Sequence, residues 1–268
     1  MWSTTSDVDE FQAAVGAALL ARPVENTLLL TISAKVADVG PGAVGGGSPV
    51  FGWHTDGSAF VWTPPRPVLL GGPATVTAAT ELAETLDAVP GVNSTDEVAR
   101  AFADTWCRRT GATARPGVRS RLYRLGRLVP PAVEGQARVA GAADRDLLAE
   151  WLTACGAELH EPLTSAGETA EAGVRDGAYG LWEVERTPVA LAGKRRPAGG
   201  VVRIGPVFTP RKHRGHGYGS AATAAVSASA HPHEVVLFTD LANPTSNALY
   251  QRLGYRPVED RSVVEFTA

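Results

Sequence analysis

The sequence predicts an α/β (α+β) fold, in which a mixed, twisted sheet is flanked by helices and the chain divides into two tandem domains. Stretches with apolar residues at helical spacing alternate with short β-branched runs, a pattern typical of mixed α/β proteins. A length of 268 residues accommodates two modest domains. The pair Pro130-Pro131 is the best boundary candidate, which places one domain at 1–131 and the other at 132–268.

The first half begins with a predicted helix, because Val8, Phe11, Val15 and Leu19 recur at helical spacing. The apolar stretch 27–36 fits either a second helix or a strand. An Asp-Gly pair lies in the turn between the first two predicted strands and is a hairpin signal. The further predicted elements are strands at 49–53, 59–63 and 68–70, helices at 81–89 and 96–110, and an Arg-rich strand at 120–128.

The second half shows the predicted order β-α-α-β-β-β-α-β-α-β-β. Its hairpin is expected to turn at Arg186-Thr187. The predicted ranges are a strand at 136–140, helices at 143–159 and 164–176, strands at 179–185, 188–192 and 201–208, a helix after the glycines near 217, a strand at 234–239, a helix at 244–253, and strands at 255–258 and 262–266.

The most informative stretch is 201–229, VVRIGPVFTPRKHRGHGYGSAATAAVSAS. A buried strand runs into a turn with a basic cluster at 211–214. Three glycines at every second position, from Gly215 to Gly219, then open an Ala-rich helix. Backbone N–H groups at a helix start point at an anion, and glycine lets the backbone approach it closely. This segment therefore predicts a phosphate-binding turn.

Two common nucleotide motifs do not fit this turn: the spacing is not G-x-G-x-x-G, and the Gly-Lys-Ser/Thr end of a P-loop is missing. A literal G-x-G-x-x-G spans Gly40 to Gly45, but Gly-Gly-Ser-Pro follows it, so we interpret it as a flexible loop. The run from Arg214 to Gly219 does match R/Q-x-x-G-x-G/A. It resembles the pyrophosphate loop of the GNAT superfamily of N-acetyltransferases, which bind acetyl-CoA.

A second motif strengthens the resemblance. After the strand at 234–239, the sequence DLANPTSNALYQRLGY is similar to the N-x-x-(S)-x-x-L/Y-Y-x-x-x-G-F/Y signature of the same family. The resemblance covers roughly 132–268, and the predicted element order is that of the GNAT fold. The helix–helix–hairpin order of the first half suggests a degenerate GNAT-like domain. The signature residues are Asn243, Asn247, Leu249, Tyr250, Gly254 and Tyr255.

The resemblance implies a GNAT acyl-CoA N-acyltransferase fold that transfers an acetyl group from acetyl-CoA, as co-substrate, to an amine. It implies that Val207 offers its backbone to the thioester and pantetheine, and that Tyr250 hydrogen-bonds to or protonates the leaving thiolate; as an alternative, Tyr250 is a core residue. Asn243 also fits an ordinary helix cap. The cofactor-binding residues implied are Val207, Arg214, Gly215, His216, Gly217, Tyr218, Gly219, Ser220, Asn243 and Asn247.

The general base is where the sequence departs from the family. Histone-type members carry a glutamate near the start of the strand that holds Val207, and here the nearest residue is Arg203, which cannot accept a proton. Arg203 then binds a substrate carboxylate or pairs with an acidic neighbour. Glu183 is the candidate catalytic base, with Glu185 or a water chain as alternatives.

Composition limits the other classes. A net charge of −3 argues against nucleic acid as a partner, and no apolar run is long enough to cross a membrane. Cys107 and Cys155 form no redox or metal motif, which suits a cytoplasmic protein. His231 and His233 lack further ligands at suitable spacing, so no metal is expected. A small-molecule or peptide amine is the expected acceptor.

Three functions stay open from the sequence. The first is an acetyl-CoA-dependent N-acetyltransferase. The second is a non-catalytic acyl-CoA-binding or sensor protein, since the usual base is missing. The third is a tandem GNAT enzyme that acylates a small thiol-precursor amine.

Overall fold

The computed structural model describes residues 1–44, 46–159 and 165–267. The strands and helices of its first half follow the order β-α-α-β-β-β-α-β-α-β. They are β1 (Trp2–Thr5), α1 (Val8–Leu20), α2 (Thr27–Val39), β2 (Val50–His54), β3 (Ala59–Trp62), β4 (Val68–Gly71), α3 (Val76–Thr85), β5 (Gly91–Thr95), α4 (Asp96–Thr110) and β6 (Thr113–Leu125).

The second half follows the predicted element order up to its last strand, where the two strands predicted near the C-terminus are one long strand. Its elements are β7 (Gln136–Val139), α5 (Arg145–Glu158), α6 (Ala166–Arg175), β8 (Tyr179–Val184), β9 (Thr187–Lys194), β10 (Val201–Phe208), α7 (Tyr218–Ala228), β11 (Glu234–Asp240), α8 (Pro244–Arg252) and β12 (Tyr255–Thr267).

All twelve strands of the described residues form one sheet, in the order β1-β2-β3-β4-β5-β12-β6-β11-β10-β9-β8-β7. Most neighbours are antiparallel, but β4 and β5 are parallel, and so are β10 and β11. Each half therefore contributes one parallel pair to the interior of a largely antiparallel sheet. The sheet is mixed, as the sequence predicts.

The last strand of each half pairs with strands of the other half. Strand β6 pairs with β11, with Tyr123 opposite Leu237, and β12 pairs with β5, with Val264 opposite Val92. Phe266 of β12 accordingly lies 6.1 Å from Phe102, ring centre to ring centre, in the first half. This exchange ties the two halves together, and the division at 131/132 stays a prediction.

Helices cover both faces of the sheet. In the first half, α3 and α4 pack on one face and α1 and α2 on the other. In the second half, α7 and α8 pack against β10 and β11 through small and aromatic residues, whereas α5 and α6 pack on the opposite face. Between the halves, Val24 from the α1–α2 connection contacts Leu122, Val201 and Val236. The parallel pair β10–β11 is thus enclosed on one side by α7 and on the other by elements of both halves.

Several element boundaries differ from the prediction. The helix predicted at 81–89 is α3 at Val76–Thr85, because the Thr75 side chain accepts a hydrogen bond from the Ala78 N–H and so starts the helix earlier. The strand β5, which follows α3, was not predicted, because its sequence, GVNST, shows no alternation of apolar and polar residues. The ambiguous stretch 27–36 is helical.

The hairpin between β8 and β9 turns one residue earlier than predicted. Glu185 and Arg186 have φ values of 47° and 65°, and a two-residue turn with two positive φ values matches the twist of the flanking strands. The prediction of a turn at Arg186-Thr187 is therefore wrong. Residues 41–44 of the literal G-x-G-x-x-G form a short 3₁₀ turn, and its last glycine, Gly45, lies outside the described residues, as does Thr164 at the start of the predicted second helix.

Within the described part of the chain, no helix is both long and apolar enough to cross a membrane.

Candidate active site

A split in the sheet lies between the parallel strands β10 and β11. Their pairing runs from Val201–Glu234 to Ile204–Leu237 and does not extend further. On its other side β10 pairs with β9, and the register shifts between Ile204 and Val207, which places one extra residue in β10. Such a β-bulge bends the strand and ends regular pairing. The bulge therefore turns the end of β10, including Val207, away from β11.

The glycine-rich turn follows directly at the end of β10. Gly217 caps α7 with a φ of 81°, a left-handed conformation that glycine adopts without strain. Gly219 is needed for a different reason: a Cβ atom there would lie 2.9 Å from the Thr209 hydroxyl and 3.8 Å from Val207. The first turn of α7 thus lies directly against the end of the bulged strand.

The start of α7 has unused hydrogen-bond donors. The first backbone bond that enters the helix runs from the Ala221 N–H to the Gly217 carbonyl. Within the described residues, none of the six N–H groups from Gly215 to Ser220 donates a hydrogen bond. Unpaired N–H groups at a helix N-terminus, together with the helix dipole, favour an anion. The predicted pyrophosphate loop therefore has the geometry that phosphate binding requires.

Arg214 has a structural role at this turn. Its Nη2 donates to both Glu158 carboxylate oxygens at 2.7 Å, and its Nε donates to the Thr209 carbonyl at 2.8 Å. The arginine thus fastens the turn to the end of α5 and of β10. The rings of His216 and Tyr218 stack at 5.3 Å on the exposed side of the turn. That Arg214 and His216 bind cofactor stays a prediction.

Tyr250 lies on α8, in the core cluster of the α7 face. It is 9% exposed and packs edge-on against Tyr255, with ring centres 6.0 Å apart. Burial, with a smaller contribution from nearby Cys155, raises the pKa of Tyr250 to about 12. Cys155 belongs to α5, which packs on the opposite face of the sheet. Tyr250 is therefore a protonated phenol at neutral pH.

The two asparagines of the second motif organise the β11–α8 connection. The Asn243 side chain accepts from the Ser246 N–H at 3.0 Å and caps α8. Asn247 donates to the Asp240 and Asn243 carbonyls at 2.8 Å and accepts from the Tyr123 hydroxyl at 2.9 Å. All these contacts are internal to the protein. The cofactor-binding role predicted for both residues is untested by these bonds and stays a prediction.

Glu183 lies on β8, two strands from β10 and on the α5 face. Arg138 of the edge strand β7 holds its carboxylate at 2.6 Å and also binds Asp144 at 2.6 Å. Two strand spacings amount to roughly 10 Å across the sheet. The alternative, Glu185, is exposed in the hairpin turn. Glu183 as the general base stays a prediction, and the ion pair with Arg138 is a feature that the sequence did not indicate.

Sequence reasoning missed three residues that shape the site: Glu158, which holds Arg214; Cys155, close to Tyr250; and Tyr123, which belongs to the first half. The first two lie on α5 at a spacing of three residues, so a helical projection would have placed them on neighbouring faces. Tyr123 reaches the site only through the strand exchange, for which we find no sequence signal. Among residues 1–44, 46–159 and 165–267, no group of three or more His, Cys, Asp or Glu side chains could hold a metal.

The parallel strands β10 and β11 thus part at a bulge, next to the N-terminus of α7, where the backbone N–H groups favour an anion. Comparison with known proteins agrees with this arrangement. Residues 145–255, which contain the bulge, the glycine turn and Tyr250, match the model of the GNAT acetyltransferase family. The similarity to the GNAT family therefore covers residues 145–255, within the second half of the chain.

Solved structures extend the fold assignment to the whole chain. A Drosophila protein covers 99% of this chain and 98% of its own, with a TM-score of 0.70 at 13% identity. A GNAT-family acetyltransferase from Colwellia psychrerythraea covers 99% and 98%, with a TM-score of 0.63 at 12% identity. A tandem GNAT protein of the clavulanic acid pathway covers 100% and 98%, with a TM-score of 0.50 at 14% identity. The architecture is thus that of two tandem GNAT units. No match was found among curated proteins.

Proposed function

We propose that this protein is an N-acetyltransferase that uses acetyl-CoA and transfers the acetyl group directly to an amine. The observation that carries the proposal is the row of six free N–H groups from Gly215 to Ser220, next to the split at β10. In this proposal the pyrophosphate lies on that row, and the pantetheine arm extends into the split toward Val207.

The chemistry follows from this placement. The amine nitrogen attacks the thioester carbon, a C–N bond forms and the C–S bond breaks. The Val207 backbone lies beside the carbonyl oxygen, which gains negative charge as the amine attacks. The Tyr250 hydroxyl donates a hydrogen bond to the departing thiolate, which takes up a proton from solvent. The attacking amine loses a proton to the base.

Two routes for the amine proton are proposed, namely Glu183 and a chain of water molecules. Glu183 is already paired with Arg138, and about 10 Å of sheet separates it from β10. Proton transfer over that distance requires intervening water in either case. The pH dependence of kcat/KM in the wild type and in Glu183→Gln separates the two routes.

The first experiment measures CoA binding by isothermal titration calorimetry, with one CoA expected per chain. The tested variants are His216→Glu and His216→Gln. The His216 side chain is exposed, so both variants preserve the fold, and they differ only in charge. We expect His216→Glu to weaken binding about 10-fold or more relative to His216→Gln, because its carboxylate lies beside the pyrophosphate. Equal affinities of the two variants would contradict the placement of the pyrophosphate.

A non-catalytic acyl-CoA sensor is the second candidate, favoured by the pairing of Glu183 with Arg138. Release of CoA thiol from acetyl-CoA, measured over a panel of amines, separates the two functions. Turnover with any amine supports the enzyme, whereas tight CoA binding without turnover supports the sensor.

A further inference from the structure

Four cationic side chains meet where the two halves of the chain adjoin. Lys35 lies on α2, Arg66 follows β3, Arg195 follows β9, and Arg203 lies on β10. We call these four residues the basic cluster. The Arg195 N–H donates to the Arg203 carbonyl at 2.9 Å. The β9–β10 loop lies against the first-half helices, since a Cβ atom at Gly199 would lie 2.9 Å from both Leu20 and Leu30.

Mutual repulsion is evident in the basic cluster. Burial and the charge of Arg195 together lower the pKa of Arg203 to about 10. Burial, Arg195 and Arg66 lower the pKa of Lys35. The Arg203 and Lys35 side chains therefore lie in a positive potential to which neighbouring cations contribute. An anion bound among these cations would reduce this positive potential.

The basic cluster has no anionic partner within the described residues. No carboxylate of that part of the chain forms an ion pair with any of its four members. Neighbouring arginines are paired by contrast: Arg196 with Asp176 at 3.0 Å and Arg124 with Glu234 at 2.6 Å. The Nη1 atom of Arg203 is moreover buried without a hydrogen-bond partner. A buried N–H without a partner is costly, and more so on a charged group. Arg203 thus has an unused donor inside the protein.

Arg203 lies at the closed end of the split. It is one residue before Ile204, where pairing with β11 ends. Its neighbours Val202 and Ile204 pack in the α7 core, so strand alternation directs Arg203 to the opposite face. About 13 Å of strand separates it from Val207. In the proposed function the cofactor lies on the α7 side, so an acceptor that reaches the thioester from the opposite side, between the two halves, approaches Arg203.

We propose that the basic cluster, through the unpartnered guanidinium of Arg203, binds an anionic group on the acceptor amine, either a carboxylate or a phosphate. This inference rests on the proposed acetyltransferase function. A guanidinium offers two parallel N–H donors to a carboxylate or phosphate, which orients as well as attracts the acceptor. The same positive field rejects polyamines, because their additional charges are cationic.

The test compares matched acceptors that share an amine and differ in charge. Glycine is paired with glycinamide, O-phosphoethanolamine with ethanolamine, and spermidine represents polyamines. CoA release gives kcat/KM for each, and calorimetry on the CoA-saturated protein gives binding that needs no turnover. We expect the anionic member of at least one pair to be favoured by 10-fold or more and spermidine to be rejected. The pair that responds distinguishes a carboxylate from a phosphate acceptor.

The variant Arg203→Met removes the charge and retains the length of the side chain. It should raise KM and Kd for the favoured anionic acceptor about 10- to 100-fold, with little change for its neutral partner or for CoA. Arg195→Met, at an exposed member of the cluster, should act in the same direction and keeps the test valid if Arg203→Met does not fold. Arg196→Met is the matched control, since Arg196 is paired with Asp176, and it should leave acceptor preference unchanged.

The outcomes separate the two proposals. If the wild-type protein binds no CoA, the proposed function fails and this inference fails with it. If CoA binds but neither turnover nor acceptor binding favours an anionic member, this inference alone is overturned. It is also overturned if Arg203→Met and Arg195→Met weaken anionic and neutral acceptors equally.

Discussion

The substitution Tyr250→Phe tests the role of the phenol at the split, because it removes one oxygen and little else. The edge-on contact of the ring with Tyr255 is retained. With a pKa of about 12, the phenol is protonated at pH 8 and can donate a hydrogen bond. A CoA thiol with a pKa near that of cysteine, about 8.5, is a stronger acid than this phenol.

This difference sets the size of the expected effect. Complete proton transfer from Tyr250 to the thiolate is uphill, because the pKa of the buried phenol, about 12, lies well above that of a thiol. Tyr250 therefore acts as a hydrogen-bond donor to a charged sulfur, which is worth about 1.5–3 kcal/mol. We expect kcat to fall roughly 10- to 100-fold. The CoA dissociation constant should change less than about 2-fold, since the charge develops only as the thioester breaks.

The assay is CoA release at saturating acetyl-CoA, with calorimetry for CoA affinity. Tyr255→Phe is the matched control: its hydroxyl bonds to Ser227 at 2.7 Å within the core, so its loss should lower stability by about 1 kcal/mol and leave kcat unchanged. Equal kcat values for Tyr250→Phe and the wild type would refute the reasoning and make Tyr250 a packing residue.

Three further predictions concern the base, the joint between the halves and acid stability. Glu183→Gln should remove the acidic limb of the kcat/KM pH profile if Glu183 is the base; an unchanged profile assigns the proton to water. Leu122 is fully buried between the halves, so Leu122→Ala should lower the free energy of unfolding by about 2–5 kcal/mol. Urea denaturation of the variant should remain a single transition. Two transitions would show that the halves unfold independently. Arg138 lowers the pKa of Asp144, so the ion pair stabilises the folded protein above about pH 4, and this stabilisation is lost as the pH falls. The difference in unfolding free energy between the wild type and Asp144→Asn should therefore shrink from pH 7 to pH 3. A constant difference would contradict the ion pair's contribution.

Local signals predicted the second half well. The glycine turn and the following helix depend on residues close in sequence, as do the α8 cap at Asn243 and the tight turn of the β8–β9 hairpin. Each is encoded within a few residues, so pattern and spacing suffice to find them. The one-residue error at the hairpin arose because a two-residue turn of Glu-Arg lacks the usual Asn or Gly.

Long-range features were not predictable in the same way. The exchange of β6 and β12 depends on strand pairings between residues far apart in sequence, such as Tyr123 with Leu237 and Val264 with Val92. The Arg138 ion pair with Glu183 joins residues 45 apart in sequence. The basic cluster likewise combines residues from both halves, since two of its members belong to the first half and two to the second. Its members become a site only when the halves adjoin.

The exchange also produces a structural difference between the two halves at their parallel strand pairs. In the first half, the parallel strands β4 and β5 pair only at Val68–Val92 and Leu69–Asn93 and then part, as β10 and β11 do. There, however, the buried guanidinium of Arg261, contributed by β12, donates to the Leu70 carbonyl at 2.8 Å and to the Asn93 carbonyl at 3.1 Å.

The first-half split is therefore bridged by a side chain from the opposite end of the sequence. Backbone N–H donors near the start of α3, the helix that follows this split, are also already bonded. The Thr75 hydroxyl accepts from Ala78, and the Thr75 N–H donates to Ser58, so these two donors near the start of α3 are already used. The start of α7 keeps its donors free, and no described side chain bridges β10 and β11 beyond Leu237 by a hydrogen bond. One sheet thus contains two splits of the same topology, of which only the second retains the free donors and the open strands that an acyl-CoA needs.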